Sequence, residues 1–585
     1  MLTMMKQFQT VYRDAESFQA VLQDWKKRCL PDTQAIIRLF VSGAEEEVLA
    51  EACALIRRVM PDCPLVGNSA NGVIVDGAIS EEKLVIGMTL YEKPTSFVKA
   101  HLIPVDPDAD LEQFRARLRE EGINWEKVTA AELLMTISTI PFDAVARILD
   151  EEIPERILLI GGGAFRGSGG PFLFMGDSGK RQSAVLLLLV GGVELHGVTH
   201  VVQGWKPLGS ELVATRSEGR ILYELNGKPA FDTYHRYLRI PMDEHFFENT
   251  LEFPLSMKKH GATLFRSTSS CNPDGSLVTS TEIPEGTVLH TNYGDPQKIL
   301  SQVHKCVREM AQFGPEVISV YSCFGRKSFW GDSETASQET RPLEAVAPVY
   351  GFCTSGELVR VNTPILLHNM TMVITGMREG GPVHRENPEE EETGQEDSAL
   401  SLISRLVNYV NTATAEILEA NRALQRMACT DRLTGLLNRG EIQKRIMDRM
   451  AECPLDSTHL IMLDLDDFKG INDVYGHQAG DAVLMGVSEV IRQVAEEQSE
   501  CSCGRWGGEE FMILLAGHTD GEAFRMAEEI RAGIAGRNFP VDRQVTASIG
   551  IARAGKTERA DPFIGRVDKA LYQAKATGKN RVCTL

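Results

Sequence analysis

Apolar or small residues recur at Ala399, Ile403, Leu406, Val410, Ala413, Ile417, Ala420, Leu424 and Met427. The spacing alternates four and three over about four heptads, which predicts a coiled-coil helix over 399–429 with Ser398 as its N-cap. Ala399, Ala413 and Ala420 fall on the seam, so it buries little apolar area and predicts a marginal pairing of two chains. Downstream, short apolar runs bounded by polar residues predict strands at 459–468, 511–515 and 545–552, with helical periodicity over 481–494 and 521–535. Upstream, strand-like runs at 34–41, 83–91, 156–161, 183–190, 316–321 and 370–375 also alternate with helical stretches. The whole reads as an α/β and α+β multidomain chain.

The run from Glu386 to Asp397 holds seven carboxylates and no basic residue. It repels itself and has nothing to bury, so it predicts a solvated linker over 379–398. The expected organisation is an N-terminal helical segment at 1–34, two domains at 35–222 and 223–378, the linker, the helix, and a last domain at 430–585. A chain of 585 residues agrees with several domains. The net charge of −20 argues against sequence-independent binding to nucleic acid. Twelve scattered cysteines without a C-x-x-C pair fit free thiols in a reducing compartment. The N-terminus lacks the apolar run of a signal peptide, and Ala184–Val190 is too short to span a bilayer, so the expectation is a cytoplasmic protein without a membrane partner.

The sharpest chemistry lies in Arg505-Trp-Gly-Gly-Glu-Glu-Phe511. Two glycines and two carboxylates before a strand predict a hairpin tip that a ligand's phosphates can approach closely. Its carboxylates are hard oxygen ligands suited to Mg²⁺. Asp464-Leu-Asp-Asp-Phe-Lys469 offers a second acidic site at a strand end. Lys575-Ala-Thr-Gly-Lys-Asn-Arg581 offers cations for a polyphosphate. Together they suggest nucleotide phosphoryl chemistry.

These residues resemble the GGDEF family, the diguanylate cyclases, in the signature's GGEEF form. Asp431 to Arg439, Asp464 to Asp473, Tyr475 to Asp481, Ala547 to Gly550 and Ala570 to Lys575 extend the likeness over 430–585. The resemblance implies a central β-sheet flanked by helices and the condensation of two GTP into cyclic di-GMP. It implies metal ligation by Asp464, Glu509, Glu510 and the Leu465 carbonyl, with two Mg²⁺ per GTP site or Mn²⁺ in their place. It places Gly507 and Gly508 against the phosphates, Lys469, Lys575 and Lys579 on the triphosphate, Phe468 in the site wall, and Asn472 and Asp481 on guanine. Asp481 suits guanine because a carboxylate accepts from both N1–H and the 2-amino group. Its retention disfavours a mixed GMP–AMP product. Many family members carry Arg-x-x-Asp about nine residues before the first signature glycine as an inhibitory product site. Here that window reads Gln498-Ser-Glu-Cys501, so product feedback at that place is expected to be absent.

The first half resembles the FIST family of sensory modules, through Pro64 to Ala70, Gly204 to Gly209, Val213 to Arg216, Ser322 to Arg326, Tyr350 to Glu357 and His368 to Thr371. The resemblance implies an unidentified small ligand, with amino acids among the candidates, and some members of the family bind haem. Arg326, Glu357, His368 and Asn369 are the expected sensor pocket. Each of nine histidines in this half reads as a hydrogen-bonded structural residue before a haem ligand. Gly161 to Gly170 lacks the Gly-Lys-Ser/Thr ending of a phosphate loop and predicts a flexible surface loop. The reading is a homodimeric cyclase gated by the FIST ligand. The alternatives are a non-catalytic GGDEF adaptor, or a haem-binding sensor of nitric oxide controlling the cyclase.

Overall fold

The computed structural model describes residues 4–585 except 107–110, 166, 168, 362–363, 382–401, 452–456, 497, 499 and 557. The expected acidic linker, apart from residues 379–381, and Ala399 of the seam lie outside the described residues. The chain forms two compact units, Met1–Asn411 and Thr412–Leu585. No helix among the described residues is long and apolar enough to cross a membrane.

The first unit repeats one device three times. Gln34–Val41 and Leu65–Ser69 are parallel neighbours joined through helix Glu46–Val59. Ala130–Met135 and Leu158–Gly163 are parallel neighbours joined through helix Phe142–Glu152. Val317–Cys323 and Val349–Thr354 form the third pair, joined through short helices. Each pair lies inside a separate sheet, and each helix buries its apolar face on its own strands. Strands of such pairs are buried on both faces, which is why they read as continuous apolar runs.

Close strand approach demands glycine in two of these pairs. A Cβ on Gly351 would fall 1.8 Å from the Val320 carbonyl oxygen, and one on Gly161 would fall 1.8 Å from that of Leu133. Gly161 to Gly163 therefore belong to a buried central strand, not to the surface loop that the glycine run suggests.

Two boundaries also differ from expectation. Residues 1–34 are not a separate helical segment. Lys6–Val11 pairs antiparallel with Leu84–Tyr91 at the edge of the first sheet, ahead of helix Ala15–Arg28. A seam at 222/223 would cut Ile221–Leu225, which pairs antiparallel with Trp205–Glu218 in an eight-stranded sheet. The chain then crosses back. Glu357–Arg360 pairs with Leu158–Gly163, so the two halves of this unit share a sheet. Long-range pairing of this kind leaves no compositional mark.

Helix Leu402–Cys429 follows, with Leu406, Val410 and Ile417 of the seam exposed at 55%, 46% and 62%. Asn411, beside that seam, accepts from the Gly209 backbone N–H at 3.0 Å and donates to the Pro207 carbonyl at 3.2 Å. The helix is thus pinned to the long strand Trp205–Glu218.

The second unit is a five-stranded sheet ordered Cys501–Gly507, Glu510–Leu515, His459–Leu465, Ala547–Arg553 and Val582–Thr584. Helices Phe468–Tyr475, His477–Glu496 and Asp520–Gly536 pack on one face around Ile461, Leu463 and Ile513. Helices Arg439–Ala451 and Ala560–Ala576 pack on the other around Leu460, Met462 and Met512.

Gly351→Ala should destabilise the protein by at least about 2 kcal/mol, because a backbone carbonyl cannot yield to the new methyl. Gly381→Ala, where nothing lies within 4 Å, is the control and should be near neutral. Urea unfolding of both variants measures the difference.

Candidate functional site

The signature forms a hairpin tip, as its glycines predict. Gly508 takes φ +44°, and the strands on either side close on the pair Gly507 and Glu510. Arg505 braces the turn. Its Nε and Nη2 donate to the Gly508 carbonyl at 2.9 and 2.7 Å, and its Nη1 lies 3.3 Å from Asp431 Oδ1. Asp431 also accepts from the Thr434 backbone N–H and hydroxyl at 2.9 and 2.7 Å. The opening motif of the unit therefore holds the tip from behind.

Antiparallel register sets Asp464 directly opposite Glu510, and the Leu465 N–H donates to the Glu509 carbonyl at 3.4 Å. Directly opposed residues share a sheet face. That face carries helix Ala560–Ala576, and Lys575 on its last turn reaches Asp464 Oδ2 at 2.7 Å. A cavity of about 240 Å³ lies alongside, lined by Glu510, Asp568, Lys569, Leu571, Tyr572 and Lys575. Burial raises the Asp464 carboxyl above the ordinary carboxylate range; Lys575 opposes this, while Glu509 and Asp466 add to it. Burial and then repulsion from Asp464 raise Glu510 in the same direction. Crowded, half-desolvated carboxylates of this kind call for a cation. The donor set is all oxygen, which fits Mg²⁺ or Mn²⁺. The protein alone does not complete a cage: among the described residues no three His, Cys, Asp or Glu side chains converge to hold a metal.

The remaining expected residues surround this centre. Phe468 is buried, and Lys469 is exposed on the first turn of Phe468–Tyr475. Asn472 stands on the same helix, and its Oδ1 takes the space that a Cβ on Gly480 would need, 2.0 Å away. Gly480 thus lets this helix press against the start of the next, where Asp481 is exposed. Lys579 pairs with Asp467 Oδ1 at 2.6 Å, which holds the Asp467 carboxyl below its usual range. Sequence reasoning passed over Asp466 and Asp467. Asp466 is buried and accepts from Thr546 Oγ1 at 2.8 Å, Ser548 Oγ at 2.7 Å and the Asn580 N–H at 3.0 Å. It ties the strand end to the Lys579 loop. Three aspartates in four positions were the available signal.

In the first unit, the four expected sensor residues are all buried. Arg326 is consumed structurally. Its Nε and Nη2 donate to Glu339 Oε2 at 2.8 and 2.7 Å, and its Nη1 to the carbonyls of Gln203 and Met370 at 2.9 and 3.0 Å. Four of its five N–H donors are thus engaged with the fold. Asn369 accepts from Ser280 Oγ at 2.7 Å. Glu357 and His368 are directly opposed across an antiparallel ladder. Burial drives the Glu357 carboxyl well above its ordinary value, while burial and the nearby Arg266 charge push His368 down to about 4. His368 is therefore neutral near pH 7.

Comparison with known proteins finds three domains, two of them inside the first unit. Residues 35–228 match the FIST N domain, 230–360 the FIST C domain, and 428–581 the family described as "Diguanylate cyclase, GGDEF domain". Over 163 residues the chain is 37% identical to diguanylate cyclase DgcM of Escherichia coli (strain K12), covering 27% of this chain and 39% of that protein. It is 35% identical over 164 residues to response regulator PleD of Caulobacter vibrioides, covering 27% of this chain and 36% of that protein. Against a diguanylate cyclase of Vibrio cholerae it is 35% identical over 182 residues, covering 30% and 55%. The chain thus spans well under two thirds of these relatives. Among solved structures, the coiled coil and GGDEF domain of DgcB from Caulobacter crescentus in complex with c-di-GMP is 33% identical. That match covers 32% of this chain and all of that one, with a TM-score of 0.29.

Lys575 holds the Asp464 carboxyl lower than burial alone would leave it. Lys575→Met should therefore move the Asp464 titration upward. Carboxylate carbon NMR across a pH series reads it, and an unmoved midpoint would show that the pair contributes nothing.

Proposed function

Residues 35–228 and 230–360 are FIST N and FIST C domains and residues 428–581 are a GGDEF domain, and from that premise we propose that the chain is a ligand-gated diguanylate cyclase. The observation that carries this reading is the register of Asp464 against Glu510 beside Lys575 at the glycine hairpin. It gathers carboxylates and a cation around a tip open to phosphate. The substrate is GTP. The 3′-hydroxyl oxygen of one GTP attacks the α-phosphorus of the other, a P–O bond to pyrophosphate breaks, and the hydroxyl proton passes to solvent. The reciprocal step closes the ring and releases a second pyrophosphate.

Two divalent cations held by Asp464, Glu509, Glu510 and the Leu465 carbonyl would stabilise charge on the attacking and leaving oxygens. The chain's own groups do the rest. Gly507 and Gly508 let the triphosphate lie against backbone N–H groups. Lys575 and Lys579 exchange their aspartate partners for phosphate oxygens, and Lys469 adds a third cation. Asn472 and Asp481 select guanine, and Phe468 backs the helix that carries Asn472.

Each GGDEF domain supplies one GTP, so two must meet. The exposed seam at Leu406, Val410 and Ile417 supports pairing with a second copy of this chain. Asn411 links that helix to the sensor strand, which supports gating by a small ligand of the FIST domains. A GTP-consuming enzyme of this kind belongs in the cytoplasm.

Glu509→Ala and Asp464→Asn should each lower the rate of cyclic di-GMP formation by about a thousandfold, since each removes several kcal/mol of charge stabilisation. Chromatography of the nucleotide products measures this, and wild-type turnover in either variant would refute the assignment. Val410→Asp combined with Ile417→Asp should abolish cyclase activity and shift sedimentation to the monomer, while circular dichroism stays unchanged. Full activity in that variant would mean that the domains meet by another route.

A further inference from the structure

Buried guanidinium groups in the first unit mostly find a carboxylate. Arg38 has Glu132 at 2.9 Å, Arg326 has Glu339 at 2.7 Å and Arg360 has Asp150 at 3.6 Å. Arg266, at the end of strand Ala262–Arg266 and 3% exposed, is different. Its Nη1 donates to the carbonyls of Phe265 and Leu367 at 2.8 and 3.1 Å. Its Nε has no partner, and it makes no ion pair among the described residues. The acid that influences it, Asp143, lies 3.7 Å from Lys259 instead. Burial pushes the guanidinium down to about 10, so it stays a cation at neutral pH. An uncompensated buried charge is costly, and a structure that keeps one has a use for it.

A small cavity of about 10 Å³ opens on this group, lined by Phe142, Leu264, Arg266 and Thr281 with Asp143 and Lys259 at its exposed edge. Thr281 is itself 6% exposed, and its hydroxyl is buried without a partner. A larger cavity of about 340 Å³ adjoins it, sharing Asp143, Lys259, Ile365 and Leu366 and adding Arg147 and His260. Two orphaned polar groups therefore face one pit at the end of a groove.

We propose that Arg266 and Thr281 bind the carboxylate head of a small organic acid whose body lies in the adjoining groove. The free Nε–H and the outer Nη form the side-on fork that takes two carboxylate oxygens together. The carbonyls on Nη1 fix the direction of that fork. Thr281 supplies a third donor. At about 10 Å³ the pit as it stands has room for no more than about one water, so the head is seated only as the pit opens into the adjoining groove. Entry requires the Lys259–Asp143 pair to part. Both side chains are 40% exposed, so that separation is cheap. The proposal deepens, and rests on, the reading of the FIST domains as a ligand sensor. It uses neither Arg326 nor any residue of the GGDEF domain.

The test is calorimetric titration of the full-length protein, without GTP, using acetate, butyrate and succinate, with inorganic phosphate as the contrasting probe. Saturable binding of at least one carboxylate is expected. Thr281→Val, nearly isosteric, should weaken it about tenfold, and Arg266→Lys, which keeps the charge but loses the fork, by more than that. Thermal unfolding establishes that each variant is folded. If Arg266→Lys unfolds, Thr281→Val alone decides. No saturable binding of any carboxylate, unchanged affinity in Thr281→Val, or tighter binding of phosphate than of the carboxylates would each overturn the proposal. Because heat is read without GTP, a failure of gating or of cyclase activity leaves this result intact, and the reverse also holds.

Discussion

The register between His459–Leu465 and Glu510–Leu515 is the constraint on which the proposed catalytic centre depends. Side chains alternate faces along a strand, so a slip of one residue would send Asp464 to the wrong side of the sheet. Hydrophobic burial does not prevent that slip here. Helices cover both faces, and both sets of alternating positions are apolar: Ile461, Leu463 and Leu465 on one face, Leu460 and Met462 on the other. The hairpin fixes its own two strands: Gly508 turns the chain from Cys501–Gly507 into Glu510–Leu515, Arg505 clamps the turn through the Gly508 carbonyl, and Asp431 holds Arg505. The tip meets the end of His459–Leu465 where the Leu465 N–H donates to the Glu509 carbonyl. The ladder between those strands sets Asp464 opposite Glu510, on the face where Lys575 arrives.

The first unit is organised by charges buried between sheets. Arg38 on the first sheet donates to Glu132 on the second and to Thr89 on its own, and its guanidinium lies 4.8 Å over the ring of Tyr350 on the third. Arg326 and Glu339 do similar work beneath the third sheet. Removing either member of such a pair would leave a charge stranded in the core. Arg266 differs from these pairs, because its hydrogen-bond acceptors are carbonyls alone, as the acceptor of the buried Arg378 also is. Arg326 gives most of its donors to the fold: four of its five N–H groups go to Glu339 and to the carbonyls of Gln203 and Met370.

Helix Leu402–Cys429 runs from the last residues of the first unit into the second. Leu406, Val410 and Ile417 are exposed on it, and Asn411 is hydrogen-bonded to the backbone at Pro207 and Gly209. An amide that both donates to and accepts from a strand is sensitive to that strand's position. Its two hydrogen bonds are modest, at about 0.5–1.5 kcal/mol each.

Local chemistry was legible in the sequence, and long-range pairing was not. The glycine tip before Glu509, the strand through Asp464 and the helix Leu402–Cys429 each depend on residues within a few positions of one another. Their turn preference, alternation and period therefore appear in the order of the letters. The strand at Lys6–Val11, the hairpin cut by a boundary at 222/223 and the buried run Gly161–Gly163 depend on partners that lie far away in the chain. So do the loss of Arg326 to Glu339 and the isolation of Arg266. Nothing in a sequence says whether a buried arginine will meet its acid. Only the packing of distant strands decides that, because the energy of a charge depends on the groups that fill the few ångströms around it.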